Sequence, residues 1–88
     1  MNRLEKAIEL GYMIIKEDKD LDIIILSKKS EYNCDANIHI NMQDKNIVDY
    51  CIIPHNRKIR DIATTQGFVN AIFDLEIDVR ILKQYESN

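Results

Sequence analysis

The sequence predicts an α+β fold: an antiparallel sheet of about four strands flanked by an N-terminal and a C-terminal helix, in the order αββββα. Three observations carry this reading. A capping box opens the chain, four runs rich in β-branched residues fill residues 12–53, and an apolar stripe at helical spacing closes it. The 88 residues suffice for a single domain, residues 1–88. A chain this short buries only about 60–65% of the surface its unfolded form exposes, so its core must be thin.

The first helix is expected over residues 2–10. Asn2 stands three residues before Glu5, the spacing at which cap and third-position side chains satisfy each other's backbone N–H groups. Leu4, Ala7, Ile8 and Gly11 then share one face, and Gly11 suits the left-handed position that ends a helix. Residues 12–16 and 21–27 follow as two strands around the charged tip Glu17-Asp18-Lys19-Asp20. Ile23-Ile24-Ile25-Leu26 is apolar on both faces, the pattern of a central strand or of one with something packed on each side. Residues 28–35 read as a polar loop. Asn37-Ile38-His39-Ile40-Asn41-Met42 alternates with Ile38, Ile40 and Met42 inward, residues 43–46 turn, and residues 47–53 return until Pro54 ends the ladder.

The last third supports two readings. Phe68, Ile72, Leu75, Val79 and Leu82 form a stripe at helical spacing, with Thr65 as a candidate N-cap. Residues 73–81 also alternate as a strand would, and on that reading a helix covers residues 56–66 and Gly67 ends it. The long helix is favoured because residues 68–82 contain no turn residue and exceed the usual strand length of about 5–6 residues. Two terminal helices on one face would also give the sheet a single core.

Composition excludes several function classes. A net charge of −3 disfavours a general nucleic-acid binder. The opening residues lack the apolar core of a signal peptide, so a cytoplasmic location with reduced cysteines is expected, with no membrane span. Cys34 falls in the polar loop and Cys51 mid-strand, so Cys34 is expected to be the more reactive thiol, although the neighbouring Asp35 carboxylate raises its pKa. Neither lies in a pattern of nucleophile, base and orienting group, and no catalytic residue is assigned. Cys34, Asp35, His39 and His55 match no zinc-ligand spacing, and two glycines cannot build a phosphate loop, so no metal and no cofactor are expected.

What remains is surface. If residues 65–85 are one helix, Phe73, Ile77 and Ile81 form a second apolar stripe, which Leu4 and Ile8 of the first helix would cover only in part. Glu17, Asp18, Asp20 and Asp22 make an acidic tip, and Asp74 and Asp78 are placed as a like-charged pair on the outer face of the helix. These nine residues are the expected partner-binding set, for a protein partner or a homodimer. The alternative is a small nucleic-acid-contacting regulator using Arg57, Lys58 and Arg60 of the basic segment 55–60.

No segment carries a family motif. In size, acidity and layout the chain is similar to small accessory proteins of phages and mobile elements, such as anti-CRISPR inhibitors, which include compact acidic α+β domains. That resemblance implies a cytoplasmic, non-enzymatic inhibitor of a bacterial defence nuclease, and it identifies no residues.

Overall fold

Asn2 starts the first helix as its side chain predicts. The Asn2 Oδ1 accepts from the Glu5 N–H at 2.8 Å and the Glu5 carboxylate reaches back to the Asn2 N–H, completing the capping box of α1 (Arg3–Glu9). Gly11, at φ 106°, turns the chain out of the helix in a conformation that disfavours any side chain. The computed structural model describes residues 1–30, 33–55 and 62–85, the last span without the side chains of residues 62–65.

Four strands follow: β1 (Met13–Asp18), β2 (Ile23–Ser30), β3 (Cys34–Asn41) and β4 (Ile47–Pro54). They form one antiparallel meander in the spatial order β1-β2-β3-β4, and α2 (Ile62–Lys83) completes the αββββα fold. The turns hold themselves with local carboxamide and carboxylate acceptors. Asp18 Oδ1 accepts from the N–H groups of Asp20 and Leu21, and Asn41 Oδ1 accepts from those of Gln43 and Asp44. Asp22 and Lys45 take the left-handed conformation in these two turns, at φ 60° each. A bond from the Met42 N–H to the Asp22 carbonyl ties the turns together at one end of the sheet.

The core lies on one face. Ile24 and Leu26 of β2, and Ala36, Ile38 and Ile40 of β3, pack with Ala7 and Tyr12 under Leu75, Val79 and Leu82 of α2. Fully burying a large apolar side chain stabilises by roughly 1.5–3 kcal/mol, and Tyr12, Leu26, Ile38, Ile40 and Leu82 are the largest to be so buried. The apolar doubling of β2 is explained only in part by its interior position. Ile24 and Leu26 go under the helices, while Ile23 and Ile25 stand half-buried on the opposite face, where no helix lies among the described residues.

Several sequence expectations need correction. Residues 28–30, 34 and 35 are strand and not loop: β2 runs on to Ser30 and β3 starts at Cys34, because their pairing continues through Lys28–Ala36, Lys29–Asp35 and Ser30–Cys34, while residues 31 and 32 lie outside the described residues. The C-terminal ambiguity resolves as helix, but α2 begins at Ile62, so Thr65 is inside it rather than at its cap, and Gly67 ends nothing. Its most buried stripe is Ala71, Leu75, Val79 and Leu82, with Phe68 and Ile72 half-buried beside it. A helix wins over a strand here because only the helical period puts those four residues on one line facing the sheet.

Candidate functional site

A concentration of polar side chains lies between α2 and the C-terminal end of β2. Tyr12, Lys28, Lys29, Ser30, Asp74 and Asp78 border a cleft of about 220 Å³, floored by Ala36, Ala71 and Leu75. The Tyr12 hydroxyl donates to Asp78 Oδ2 at 2.7 Å, and the Lys28 ammonium stands 3.6 Å from the same oxygen and 5.3 Å from the Tyr12 ring centroid. Burial and the Asp78 carboxylate push the phenol well above its ordinary pKa, so Tyr12 stays a donor across the physiological range. One carboxylate oxygen thus carries both partners. The cleft is smaller than the roughly 300 Å³ at which small-molecule pockets begin. Its polar groups hold α2 against the sheet.

This geometry corrects the placement of Asp78. It points into the cleft, whereas Asp74, one turn earlier, is exposed at the rim. The reason is the position of Tyr12, whose buried ring needs an acceptor for its hydroxyl. Nothing in the sequence announces that pair, because the two residues are 66 positions apart.

The cysteines are placed opposite to the expectation. Cys34 is buried at the start of β3, and Cys51 is exposed on β4. Both thiols are pushed up by burial, with Asp35 adding to the effect on Cys34 and Asp49 to that on Cys51. His55 Nε2 lies 2.8 Å from Asp35 Oδ1, and its Nδ1 is 3.1 Å from Asn33 Oδ1. His39 sits on the open face of the sheet, as its alternation predicts, apart from His55 in the ladder. Among the described residues, no three His, Cys, Asp or Glu side chains gather as metal ligands.

The acidic tip is real but partly committed. Asp18 caps the β1–β2 turn, and hydrogen bonds from that backbone hold its carboxyl below the ordinary range. Asp22 takes the left-handed turn position, while Glu17 and Asp20 are exposed. Among the apolar candidates, Phe73 and Ile77 stand 58% and 52% exposed on the outside of α2, and Ile81, a further turn on, is half-buried. Ile8 of α1 is itself exposed and Leu4 packs into the core, so α1 leaves the first two turns of this stripe open. Arg57, Lys58 and Arg60 lie outside the described residues.

Two residues that sequence reasoning passed over have pronounced roles. Arg3 is buried with its guanidinium spread over the end of α2 and the β3–β4 turn. Asn37, 8% exposed, sits mid-strand on the open face, and its Oδ1 has no hydrogen-bond partner among the described residues. An amide inside an alternating strand is a visible signal for the second. For Arg3 no local pattern exists.

Comparison with known proteins finds no matching family model, no matching curated relative and no matching solved structure. No described helix is long and apolar enough to cross a membrane.

Proposed function

We propose that this chain is a non-enzymatic protein-interaction module whose partner docks on the outer face of α2. The observation that supports the reading most is the stripe Phe73–Ile77. Residues four apart on a helix are neighbours, so these two large side chains form one apolar strip, bordered by the exposed carboxylate of Asp74. Interfaces of modest size are anchored by a few such apolar groups within a polar rim. Glu17 and Asp20 add exposed negative charge at the end of the sheet, the same end to which Arg3 ties the C-terminus of α2.

The finer reading is that the partner is a basic, nucleic-acid-handling protein such as a bacterial defence nuclease. Acidic side chains on a small rigid fold complement a groove built to hold phosphates, and the overall charge of −3 agrees with this. The test is paired binding and inhibition. Wild-type protein should bind and inhibit a defence nuclease of its host, and Ile77→Asp should lose both while keeping its far-UV spectrum and melting temperature. Retained inhibition in a folded Phe73→Asp/Ile77→Asp double variant would overturn the assigned surface. Salt-dependent binding of the purified chain to DNA, steep enough to report several phosphate contacts, would instead support the basic segment 55–60 as the working surface.

A further inference from the structure

Among the described residues both edges of the sheet are open, and they are not alike. β1 is six residues long, is interrupted by a register shift between Ile14 and Lys16, and ends in Lys16-Glu17-Asp18. A bulge and charges are the usual devices that keep an edge from pairing. β4 is eight residues long and carries one charged side chain, Asp49. Its own irregularity, opposite His39 and Ile40, falls at Val48, which leaves residues 49–53 as a regular uncharged-but-one segment before Pro54.

The direction of the unused backbone groups in that segment follows from the ladder. The His55 N–H donates to the Asn33 carbonyl at 3.1 Å, and pairing continues without a slip through Asp35–Ile53, Asn37–Cys51 and His39–Asp49. In an antiparallel pair, hydrogen-bonded and non-bonded positions alternate. Residues 49, 51, 53 and 55 therefore spend their backbone groups on β3, and Tyr50 and Ile52 turn theirs outward. The Tyr50 N–H agrees, since it donates to the Asp49 side chain at 2.8 Å rather than to β3.

We propose that β4 pairs with β4 of a second copy, antiparallel, about a two-fold axis at Cys51. That register alone matches outward groups to outward groups within residues 49–53, and it leaves Val48 opposite Pro54 of the second copy just beyond the bonded segment. Tyr50 exchanges two hydrogen bonds with Ile52 of the second copy, and Ile52 does the same with its Tyr50. Moving the axis one way brings in the Val48 irregularity, and moving it the other way opposes Tyr50 to Pro54, which has no N–H to give. A foreign strand would meet the same edge without this internal match. The single charge also fits: Asp49 falls opposite Ile53, and the two Asp49 residues lie about 14 Å apart along the strands, beyond a Debye length of about 8 Å. A parallel arrangement would stack them. On the covered face, Tyr50 and Ile52 border an apolar groove of about 200 Å³ with Phe68, Ile72 and Leu75, and pairing continues that groove from one copy into the other. The local Tyr50–Asp49 bond gives way to the bond with the second copy.

The register has a chemical signature. Cys51 faces its own symmetry mate at a non-hydrogen-bonded position, where Cα atoms stand about 4.5 Å apart, within disulfide range. This surface is separate from the α2 stripe, so its test is independent of the proposed function. The full chain in reductant at about 100 µM should sediment as a dimer. Diamide should then join two Cys51 thiols into one disulfide, taking up the two electrons and two protons released, and Cys51→Ser should remain a dimer that diamide cannot link. Tyr50→Pro, which removes an outward N–H and no ladder bond, should sediment as a folded monomer. A monomer in reductant would overturn the proposal, as would a dimer that diamide leaves unlinked at Cys51. Dissociation by Ile77→Asp with Tyr50→Pro still dimeric would move the contact to α2. Should Tyr50→Pro fail to fold, sedimentation and linkage of the wild-type chain decide the question.

Discussion

Replacing Arg3 with alanine removes the side chain that joins three separate parts of the chain. The Arg3 Nε donates to the Leu82 carbonyl at 2.9 Å, Nη1 to the Lys45 carbonyl at 2.9 Å and Asn46 Oδ1 at 3.1 Å, and Nη2 to the Tyr85 carbonyl at 3.1 Å. Leu82 is in the last turn of α2, whose final carbonyls have no partner within the helix, and Tyr85 lies two residues beyond it; the cation also opposes the negative end of the helix dipole. A hydrogen bond involving a charged group is worth about 1.5–3 kcal/mol net when desolvated. Only the Leu82 bond is fully buried; water replaces part of the other three. Counting that bond in full and the others at about 0.5–1 kcal/mol each gives a loss of roughly 3–6 kcal/mol for Arg3→Ala. Domains of this size are stable by about 4–13 kcal/mol in all, so the variant should be marginal. Its melting temperature should fall by about 12–48 °C. Arg3→Lys should recover less than half of the loss, because a single ammonium cannot reach both the helix end and the turn. Urea denaturation followed by circular dichroism measures both. A loss below about 1 kcal/mol, or wild-type stability in Arg3→Lys, would refute the assignment of the guanidinium as the clasp between α1, α2 and the β3–β4 turn.

Other substitutions test other parts of the molecule. Tyr12→Phe keeps the buried ring and deletes the part-buried bond to Asp78, so it should cost about 0.5–1 kcal/mol in the same denaturation assay. Leu75→Asp puts a carboxylate into the core and should unfold the chain, whereas the exposed change Ile77→Asp should shift stability by only about half a kcal/mol; thermal melts of the pair distinguish the two faces of α2. Asn37→Val exchanges an amide whose buried oxygen has no partner among the described residues for a β-branched side chain and should be neutral or stabilising by about 1 kcal/mol in a thermal melt. Cys51 should react with a maleimide much faster than Cys34 under native conditions, and its rate should keep climbing above pH 8.5, because burial and Asp49 hold its thiol protonated to higher pH; mass spectrometry of timed samples reads both.

The sequence by itself determined the element order. Asn2 and Glu5 carry their capping geometry locally, so α1 was legible to within a residue. The alternation of Ile38, Ile40 and Met42, and the doubled apolar run at Ile23–Leu26, placed β3 and an interior β2 because side-chain periodicity is a property of the strand itself. The exposed stripe of Phe73 and Ile77 was legible for the same reason once a helical period was chosen for α2. Sequence reasoning failed where the deciding partner is remote. Residues 28–35 look like a loop by composition, yet β2 and β3 pair through Ser30–Cys34. That extension buries Cys34, leaves Cys51 on the edge, and reverses the expected order of thiol reactivity. Asp78 looks like surface charge until Tyr12 arrives from 66 residues away to claim it, and Arg3 looks like a solvated helix residue until α2 ends above it. Periodicity and capping are written within a few residues and survive in one dimension. Hydrogen bonds between distant polar groups, and the choice of which sheet edge is left unpaired, are decided only when the chain closes on itself.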